Sequence, residues 1–574
     1  MARANDRIEA LLQEYSDLLA ISGGDPFRVR TYEKAARSVG GYHTDIAGLD
    51  RDGLVKIPSV GGSTADKILE ALQTGTFRQL QDLREQVPAG VREMISIPGL
   101  GPKKAMMLYR DLKIASVEEL ADAIHTGRLH GLKGFGPKTE ENILHGIALM
   151  RQSGGRVQLG VALDLAEEII RELREVRGCT KCEYAGSLRR MVETVGDIDI
   201  LVASKKPEPV MDAFASLSHV AEVIAKGGTK TSVRTTKGLQ VDLRVVPPDV
   251  WGAALQYFTG SKAHNIRTRE IAVRKKLKLS EYGLFEAETE KLIVALTEEE
   301  VYERLGLPWI SPLLREDRGE IEAAMRGELP TLVELRDIRG DLHTHTNLTD
   351  GLATLEEMLA SAGERSYDYY AVTDHAPNLY MQRMTDEKML AQRERVRKLQ
   401  SKYPKMTLLH GTELNIDGEG GVDWGPEFLE GFDVCVASVH SLFNQSKDAM
   451  TRRIVRACEN PFVNIIGHPT GRQIGARPPV DVDLEEVFKA AARTGTALEI
   501  NSYPDRLDLK DGHIMWARRH GVRFAVDTDS HSTVHLDFMK YGVAQAGRGW
   551  LEKGDVINTW PLAKLRKFLR KGRA

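Results

Sequence analysis

The run Asp341-Leu342-His343-Thr344-His345, with Asp350 shortly after it, opens a series of side chains able to bind metal. Six further apolar stretches of strand length each run into polar groups. Residues 369–372 lead to Asp374 and His375, 407–409 to Glu413, and 434–439 to His440. Residues 463–467 lead to His468, 497–500 to Asn501, and 524–526 to Asp527, Asp529 and His531. Of the 16 histidines, 10 lie beyond residue 338, most of them at such strand ends beside acids, which a random scatter of surface imidazoles does not produce. Neutral imidazole mixed with carboxylate suits Zn²⁺, Mn²⁺ or Fe²⁺ better than Mg²⁺. A cluster of two or three such ions would make water nucleophilic and stabilise a phosphoryl transition state.

A second constellation lies upstream. Gly196-Asp197-Ile198-Asp199-Ile200-Leu201-Val202 reads as a strand whose alternation puts Asp197 and Asp199 on one face and the isoleucines on the other. Residues 240–246 form another strand with one inward acid, Asp242. Two carboxylates at i,i+2 and a third from a neighbouring strand can clamp two Mg²⁺ ions about 3.5–4 Å apart, the arrangement that serves in-line phosphoryl transfer. An aspartate pair alone is equally read as a soluble sheet edge.

The elements that must position these groups follow from pattern. Helical stretches at 355–365, 386–401, 449–459, 484–494 and 511–520 alternate with the C-terminal strands. Repeated strand–helix units argue for a parallel barrel whose working face is the ring of loops after the strands. At the other end of the chain, 7–20 and 28–39 read as amphipathic helices. Three related turns follow, Ile57-Pro58-Ser59-Val60-Gly61-Gly62, Ile97-Pro98-Gly99-Leu100-Gly101-Pro102-Lys103 and Leu132-Lys133-Gly134-Phe135-Gly136-Pro137-Lys138. They open helices expected over 64–73, 103–110 and 139–150. Glycines permit the tight turn, and the free amides at a helix start hold phosphate.

These turns resemble helix-hairpin-helix motifs, which grip a nucleic-acid backbone without reading its bases. The candidate contacts are Gly99, Gly101, Lys103, Gly134, Gly136 and Lys138, and the first copy departs by carrying Ser59 where glycine is usual. Gly186-Ser187 before Arg189-Arg190, together with the Gly-Asp-Ile-Asp strand, resembles a nucleotidyltransferase signature. Tyr257-Phe258-Thr259-Gly260-Ser261, Asn265 and Arg269 resemble the nucleotide-binding end of family X DNA polymerases, and the nine-residue C-terminal set resembles a PHP (polymerase and histidinol phosphatase) domain. Along its whole length the chain is similar to bacterial family X polymerases that carry a C-terminal PHP domain.

That resemblance implies a multidomain fold. A helical lyase-like domain over 1–90 and a fingers-like domain over 91–150 would precede an α+β nucleotidyltransferase palm over 151–248. A thumb over 249–315, a linker over 316–337 and a (β/α)7-like PHP barrel over 338–574 would complete it. Asp197, Asp199 and Asp242 would bind Mg²⁺ or Mn²⁺, with Asp242 as base for the primer hydroxyl. Gly186, Ser187, Arg190, Gly260 and Lys262 would lie along the triphosphate, Tyr257 and Phe258 against the sugar, Asn265 at the new base and Arg269 at the template. Lys67 falls at the position of the Schiff-base lysine of a deoxyribose-phosphate lyase, although Ser63 and Arg28 stand where that pocket has lysines. His343, His345, Asp350, His375, Glu413, His440, His468, Asp529 and His531 would hold two or three Mn²⁺, Zn²⁺ or Fe²⁺ ions. Arg472 reads either as a phosphate ligand or as a loop salt bridge, and the basic tail over 564–573 as a DNA contact or a solvated helix.

The implied activity is gap filling in DNA repair, including base excision repair. A metal-dependent 3′→5′ exonuclease would accompany it, with abasic-site cleavage and 3′-phosphate removal. Gapped or primer–template DNA and dNTPs are the expected partners. A small-molecule phosphatase needs no DNA grip, and a DNA-end scaffold needs no intact acid triad, so both alternatives leave residues unexplained. Composition agrees: 574 residues exceed one core, and 42% hydrophobic with 28% charged residues is ordinary for a soluble protein. No run reaches the roughly 18 apolar residues that cross a bilayer. Net charge of −3 confines any DNA footprint to local patches. Four cysteines argue against a disulfide scaffold, and the lone Cys179–Cys182 pair against zinc. A cytoplasmic, nucleoid-associated monomer is expected.

Overall fold

The structure, a computed structural model, describes residues 4–40, 46–57, 59–95, 97, 100–129, 132, 134–136, 139–140, 143–144, 147 and 156–571. The helix Ala4–Ile21 buries Ile8, Leu12, Tyr15, Leu18 and Ile21, an apolar stripe at three- and four-residue spacing, and packs beside Pro26–Gly40. The three repeated turns share one form. Val60 N donates to Ile57 O, Leu100 N to Ile97 O and Phe135 N to Leu132 O, each at 3.0 Å. Gly61, Gly101 and Gly136 then open helices by accepting from Thr64 N (2.9 Å), Lys104 N (2.9 Å) and Thr139 N (2.8 Å). The third turn residue is left-handed: Gly134 has φ +89° and Ser59 φ +63°, so serine occupies a conformation that suits glycine. Gly99, Lys138 and most of the helix expected over 139–150 lie outside the described residues. Ile57, Val60, Ile97, Leu100 and Phe135 are buried in one core that runs from Ala4 to Ile147, so 1–90 and 91–150 pack as a continuous unit.

Next comes a five-stranded sheet in the order Lys181–Tyr184, Asp197–Ala203, Gln240–Val246, Lys230–Thr235, Val220–Lys226. Only the Asp197–Ala203 and Gln240–Val246 pair is parallel, with Asp199 opposite Asp242. Ile198, Ile200, Val241 and Leu243 pack beneath helices Leu159–Arg174 and Pro207–Ala215. Helices Trp251–Thr259 and Lys262–Arg274 lead to a three-stranded antiparallel sheet over 277–294 and the helix Glu298–Arg304, which a Thr297/Glu300 capping box starts.

The segment 316–337, which reads as a linker in sequence, is packed along its length. Its helix Glu320–Arg326 lodges Ile321 and Ala324 in the core of the preceding α+β unit. Val333 enters the barrel's outer core, and its amide donates to Leu551 O at 3.0 Å. Apolar residues spaced through a charged stretch account for the difference.

Residues 340–527 supply seven parallel strands in sequential order. A bridge between Thr344 and Ser530 joins the first strand's end to the last's, so the barrel nearly closes. Alternation decides the two layers. Tyr369, Ala371, Leu409, Val434, Val436, Ile465, Ala497 and Ala525 fill the interior, while Tyr370, Val372, Leu408, Cys435, Ala437, Leu498 and Phe524 face the helices. The C-terminal helix Leu562–Leu569 plugs the end of the barrel where the strands begin, with Leu565 and Leu569 in the interior core. The described part of the basic tail, through Lys571, therefore sits opposite the metal-ligand end. Lys571 Nζ donates to the carbonyls of Cys458, Asn460 and Val463, and Lys564 lies 3.8 Å from the Trp560 ring.

Barrel and five-stranded sheet pack directly together. Leu507 and Tyr541 of the barrel join the sheet's own core, with Ile474 and Phe538 against it.

Candidate active sites

The first site lies on the five-stranded sheet. Asp197 is exposed, while Asp199 and Asp242 are half-buried and in register. A Cβ at Gly186, where φ is +60°, would stand 2.3 Å from Asp199 Oδ2, so only glycine lets the turn approach this carboxylate. Burial, and then repulsion from Asp197 and Asp242, push the Asp199 carboxyl up to about 7. Burial acts on Asp242 too, but bonds from Lys230, Gln240 and Ser232 keep it below its ordinary value. Lys230 Nζ stands 2.6 Å from Asp242 Oδ2 and is a cation the sequence reading missed. Three converging carboxylates, one of them held back from ionising, form a site that divalent cations would complete.

The candidate nucleotide residues surround this face. Ser187 sits in the short helix Gly186–Arg189. Arg190 is not free: Nη1 donates to Thr259 O at 2.6 Å and Nε to Glu316 Oε1 at 3.0 Å. Gly260, at φ +68°, leaves 3.2 Å between its hypothetical Cβ and Arg190 Nη1. Tyr257 and Phe258 meet edge to face at 5.1 Å, and the Arg244 guanidinium lies 4.7 Å from the Phe258 ring. Asn265 donates to Tyr257 O at 2.7 Å and accepts from Gln256 at 2.9 Å, and Arg269 Nε donates to Asn265 O at 3.1 Å. Lys262 is exposed at the start of its helix.

In the helical region Lys67 is buried apart from 8% of its surface. Its Nζ donates to Ser63 Oγ (3.0 Å) and Ser63 O (3.2 Å) and lies 5.6 Å from the Tyr32 ring. Gly101 and Gly136 are open, since a Cβ at either would meet nothing within 4 Å, and Lys103 is exposed beside Gly101.

The second site fills the barrel mouth and brings all nine expected side chains together. Three groupings share members: His345, Asp350, His375 and His531; His343, His345 and Asp529; His375, Glu413 and His440. His468 completes the set, its Nε2 3.1 Å from Glu413 Oε1. Glu413 is expected after its strand but lies within it. The strand runs Thr407–Asn415, pairing first with 369–372 and then, from Gly411, with 434–438. That change of partner carries the strand to the mouth, where Glu413 touches five imidazoles.

Whether cations fit can be judged from the donor atoms. His343 Nδ1 donates to Glu499 (2.6 Å), His440 Nδ1 to Asn415 Oδ1 (2.7 Å) and His531 Nδ1 to Asp529 O (2.7 Å), which leaves each Nε2 lone pair for the centre. His343 Nε2 faces His345 Nε2 at 3.2 Å. His345 Nδ1, Asp350 Oδ1 and His375 Nδ1 are buried without hydrogen-bond partners among the described residues. Lone pairs aimed at one another and buried orphan acceptors fit divalent cations. Burial would raise Glu413 and Asp529, but His440 and His343 around the first and His343 and His345 around the second hold both well below the carboxylate range.

Supporting groups stand behind the ligands, and Glu499 among them escaped the sequence reading. Glu499 shares the inward parity of Ala497, accepts from His343 Nδ1 and His468 N, and is fully buried. An acid among inward apolar positions was the available signal. Asn501 holds Asp529 Oδ2 at 3.1 Å. Asp374 accepts from Thr346 N and Thr349 Oγ1, bracing the loop that carries Asp350. Arg472 is a structural salt bridge rather than a free phosphate ligand: it donates to Glu193 across the interface and to Leu507 O. Arg548, 3% exposed in side chain, reaches the first site by donating to Arg190 O (2.7 Å) and Glu316 (2.9 Å). Cys182 is buried in the sheet core, and no disulfide joins it to Cys179.

Comparison with known proteins agrees segment by segment. Family models match a helix-hairpin-helix domain over 3–77, a SAM-like helix-hairpin-helix tandem over 91–148, a DNA polymerase beta thumb over 254–316 and a PHP domain over 341–502. The chain is 35% identical over 564 residues to the DNA polymerase/3′-5′ exonuclease PolX of Bacillus subtilis, covering 98% of each. It is 24% identical to rat DNA polymerase lambda over 54% of this chain and 55% of that one. A probable phosphatase of Acetivibrio thermocellus is 30% identical over 33% of this chain and 78% of its own.

Proposed function

The chain belongs to the family X DNA polymerases with a C-terminal PHP domain, and on that footing we propose that it fills short gaps in DNA and trims 3′ ends at a separate metal site. Asp197, Asp199 and Asp242 hold Mg²⁺ or Mn²⁺, which when bound lowers the cost of ionising the primer hydroxyl and neutralises the triphosphate. Asp242 takes the hydroxyl proton. Ser187 donates to a phosphate oxygen, and Arg190 leaves Glu316 to bind the β/γ-phosphates, with Lys262 beside their path. Tyr257 and Phe258 pack against the sugar, Asn265 turns from the Tyr257 carbonyl to the new base, and Arg269 meets the template. The turns at Gly101 with Lys103 and at Gly136 hold the DNA backbone through amides and charge.

In the barrel the nine ligands hold two or three Mn²⁺, Zn²⁺ or Fe²⁺ ions, which supply Lewis acidity for hydrolysis of a phosphate ester. Glu499 and Asn415 fix the imidazoles that present them. The same chemistry extends to abasic-site cleavage and 3′-phosphate removal. Lys67 is the candidate lyase nucleophile, but its bonds to Ser63 and its contact with the Tyr32 ring favour the ammonium, so these contacts support a structural helix lysine. The observation that carries the reading is two complete acidic sites in one chain, one on an open sheet and one in a barrel mouth, packed through a shared core.

A 5′-labelled primer on gapped DNA, with and without dNTPs in Mg²⁺ or Mn²⁺, separates the sites. Asp242→Ala should lose extension and keep trimming, and His343→Ala should do the reverse. Wild-type protein that neither extends nor trims would refute both assignments. A chain that hydrolyses only small phosphate monoesters would instead favour the phosphatase reading.

A further inference from the structure

One guanidinium at the barrel mouth has no assignment in the metal reading. Arg506 follows the strand Ala497–Asn501 in a turn held from both sides. Arg506 N donates to Tyr503 O at 2.9 Å, Leu507 is buried in the interface core, and Asp508 accepts from Thr470 N (2.9 Å) and Thr470 Oγ1 (2.8 Å). The backbone therefore fixes where the side chain starts. Its Nε stands 3.8 Å from Asp529 Oδ2, too far for a hydrogen bond, and its Nη1 is buried without a partner among the described residues. Arg315, Arg393, Arg453 and Arg472 also bury a guanidinium nitrogen without a partner among the described residues, but the Arg506 guanidinium is the one placed beside Asp529.

Charge deepens the anomaly. The acids that face Arg506 are Asp529, Asp505, Glu413 and Glu499, and against the burial that would lower it they keep the guanidinium cationic. Asp529 and Glu413 are committed to cations in the reading above, and Glu499 to His343. A second guanidinium, Arg477, is near enough to be repelled by Arg506, and is anchored by Gly471 O (2.6 Å) and the Phe443 ring (4.1 Å). Once cations occupy the ligands, Asp505 and the Thr470-bound Asp508 are the acids left facing the two guanidiniums of this wall. The unpartnered Nη1 still lacks an acceptor among the described residues, and a planar guanidinium fork suits phosphoryl oxygens.

We propose that Arg506 binds a non-bridging oxygen of the phosphoryl group presented to the barrel metals, positioning a DNA 3′-terminal phosphodiester or 3′-phosphate for hydrolysis. The inference rests on the trimming function proposed above and adds the residue that recognises its substrate.

The test uses the full metal-loaded chain in an Asp242→Ala background, so that the sheet site takes up no nucleotide. Arg506→Gln and Arg506→Lys are compared for metal content by atomic emission and for binding of dTMP, thymidine and inorganic phosphate by calorimetry. Losing a charge-assisted bond should weaken dTMP and phosphate binding by about tenfold to a hundredfold in Arg506→Gln, with metal content unchanged and Arg506→Lys intermediate. Thymidine, lacking the phosphate, should not distinguish the variants. Trimming of primers ending in a 3′-hydroxyl or a 3′-phosphate should show in KM which phosphoryl group Arg506 holds. Undiminished dTMP binding in Arg506→Gln overturns the inference. So does loss of metal, which would make Arg506 a prop for Asp529. Wild-type protein that binds dTMP through Arg506 yet trims nothing would sink the exonuclease reading and leave this one standing.

Discussion

Glu298 offers the sharpest test of how the nucleotide segment is held. Its carboxylate accepts from Arg189 at 2.9 and 2.8 Å and from Arg315 at 2.6 Å, and Arg315 is fully buried. Burial alone would raise this carboxyl, but Arg315 and Arg189 hold it at about 2 against an ordinary 4.5. All three side chains are largely sheltered, so little solvent screening applies. That depression is worth about 3 kcal/mol at neutral pH, within the roughly 3–5 kcal/mol expected when one partner of a buried ion pair is removed. Glu298→Gln should therefore lower the melting temperature of the α+β half by about 6–12 °C, at roughly 2–4 °C per kcal/mol for a unit of this size. Because the folded carboxyl is depressed, the stabilisation is complete above pH 4.5 and is lost as pH falls towards 2. The gap between wild type and variant should accordingly stay constant between pH 6 and 8. Arg189 also donates to Thr259 Oγ1 at 2.6 Å, so the dNTP KM should rise while barrel trimming is unchanged. Calorimetry combined with gap-filling kinetics reads both. A loss under about 1 kcal/mol, or a gap that varies across neutral pH, would refute the reasoning.

Other substitutions probe separate links. Ser59→Gly relieves a left-handed serine worth about 1–2 kcal/mol but adds unfolded-chain freedom of about 0.4–1 kcal/mol. Thermal unfolding should thus show a net gain of roughly 0.5–1 kcal/mol, and a loss would mean the serine hydroxyl does something the turn geometry omits. Glu316→Gln weakens the carboxylate that competes for Arg190, so steady-state gap filling should show a several-fold lower dNTP KM. A higher KM would make Glu316 an orienting partner instead. Glu499→Gln should weaken barrel metal affinity by about 10–100-fold in chelator competition while primer extension persists, and unchanged affinity would remove Glu499 from the metal support.

Much of the molecule could be read from the chain because its signals are local. Alternation of period two put Asp197 and Asp199 on one face, and strand ends followed by helices carried the histidines to one mouth. Glycines at the turns announced the hairpins by themselves, the first copy despite its departure at Ser59. Pairing across the fold carried no such mark. Arg190 is engaged by Glu316, and both by Arg548, more than two hundred residues further along. Arg472 spends its charge on Glu193, which no loop pattern announces. The charged stretch 316–337 looks solvated until Ile321, Ala324 and Val333 find cores on either side. Residue type and period thus determined which groups bear chemistry and on which face they lie. Only the tertiary structure decided which charges are already spent on one another and which, like Arg506, are left for a ligand, because ion pairing depends on distances that sequence separation does not constrain.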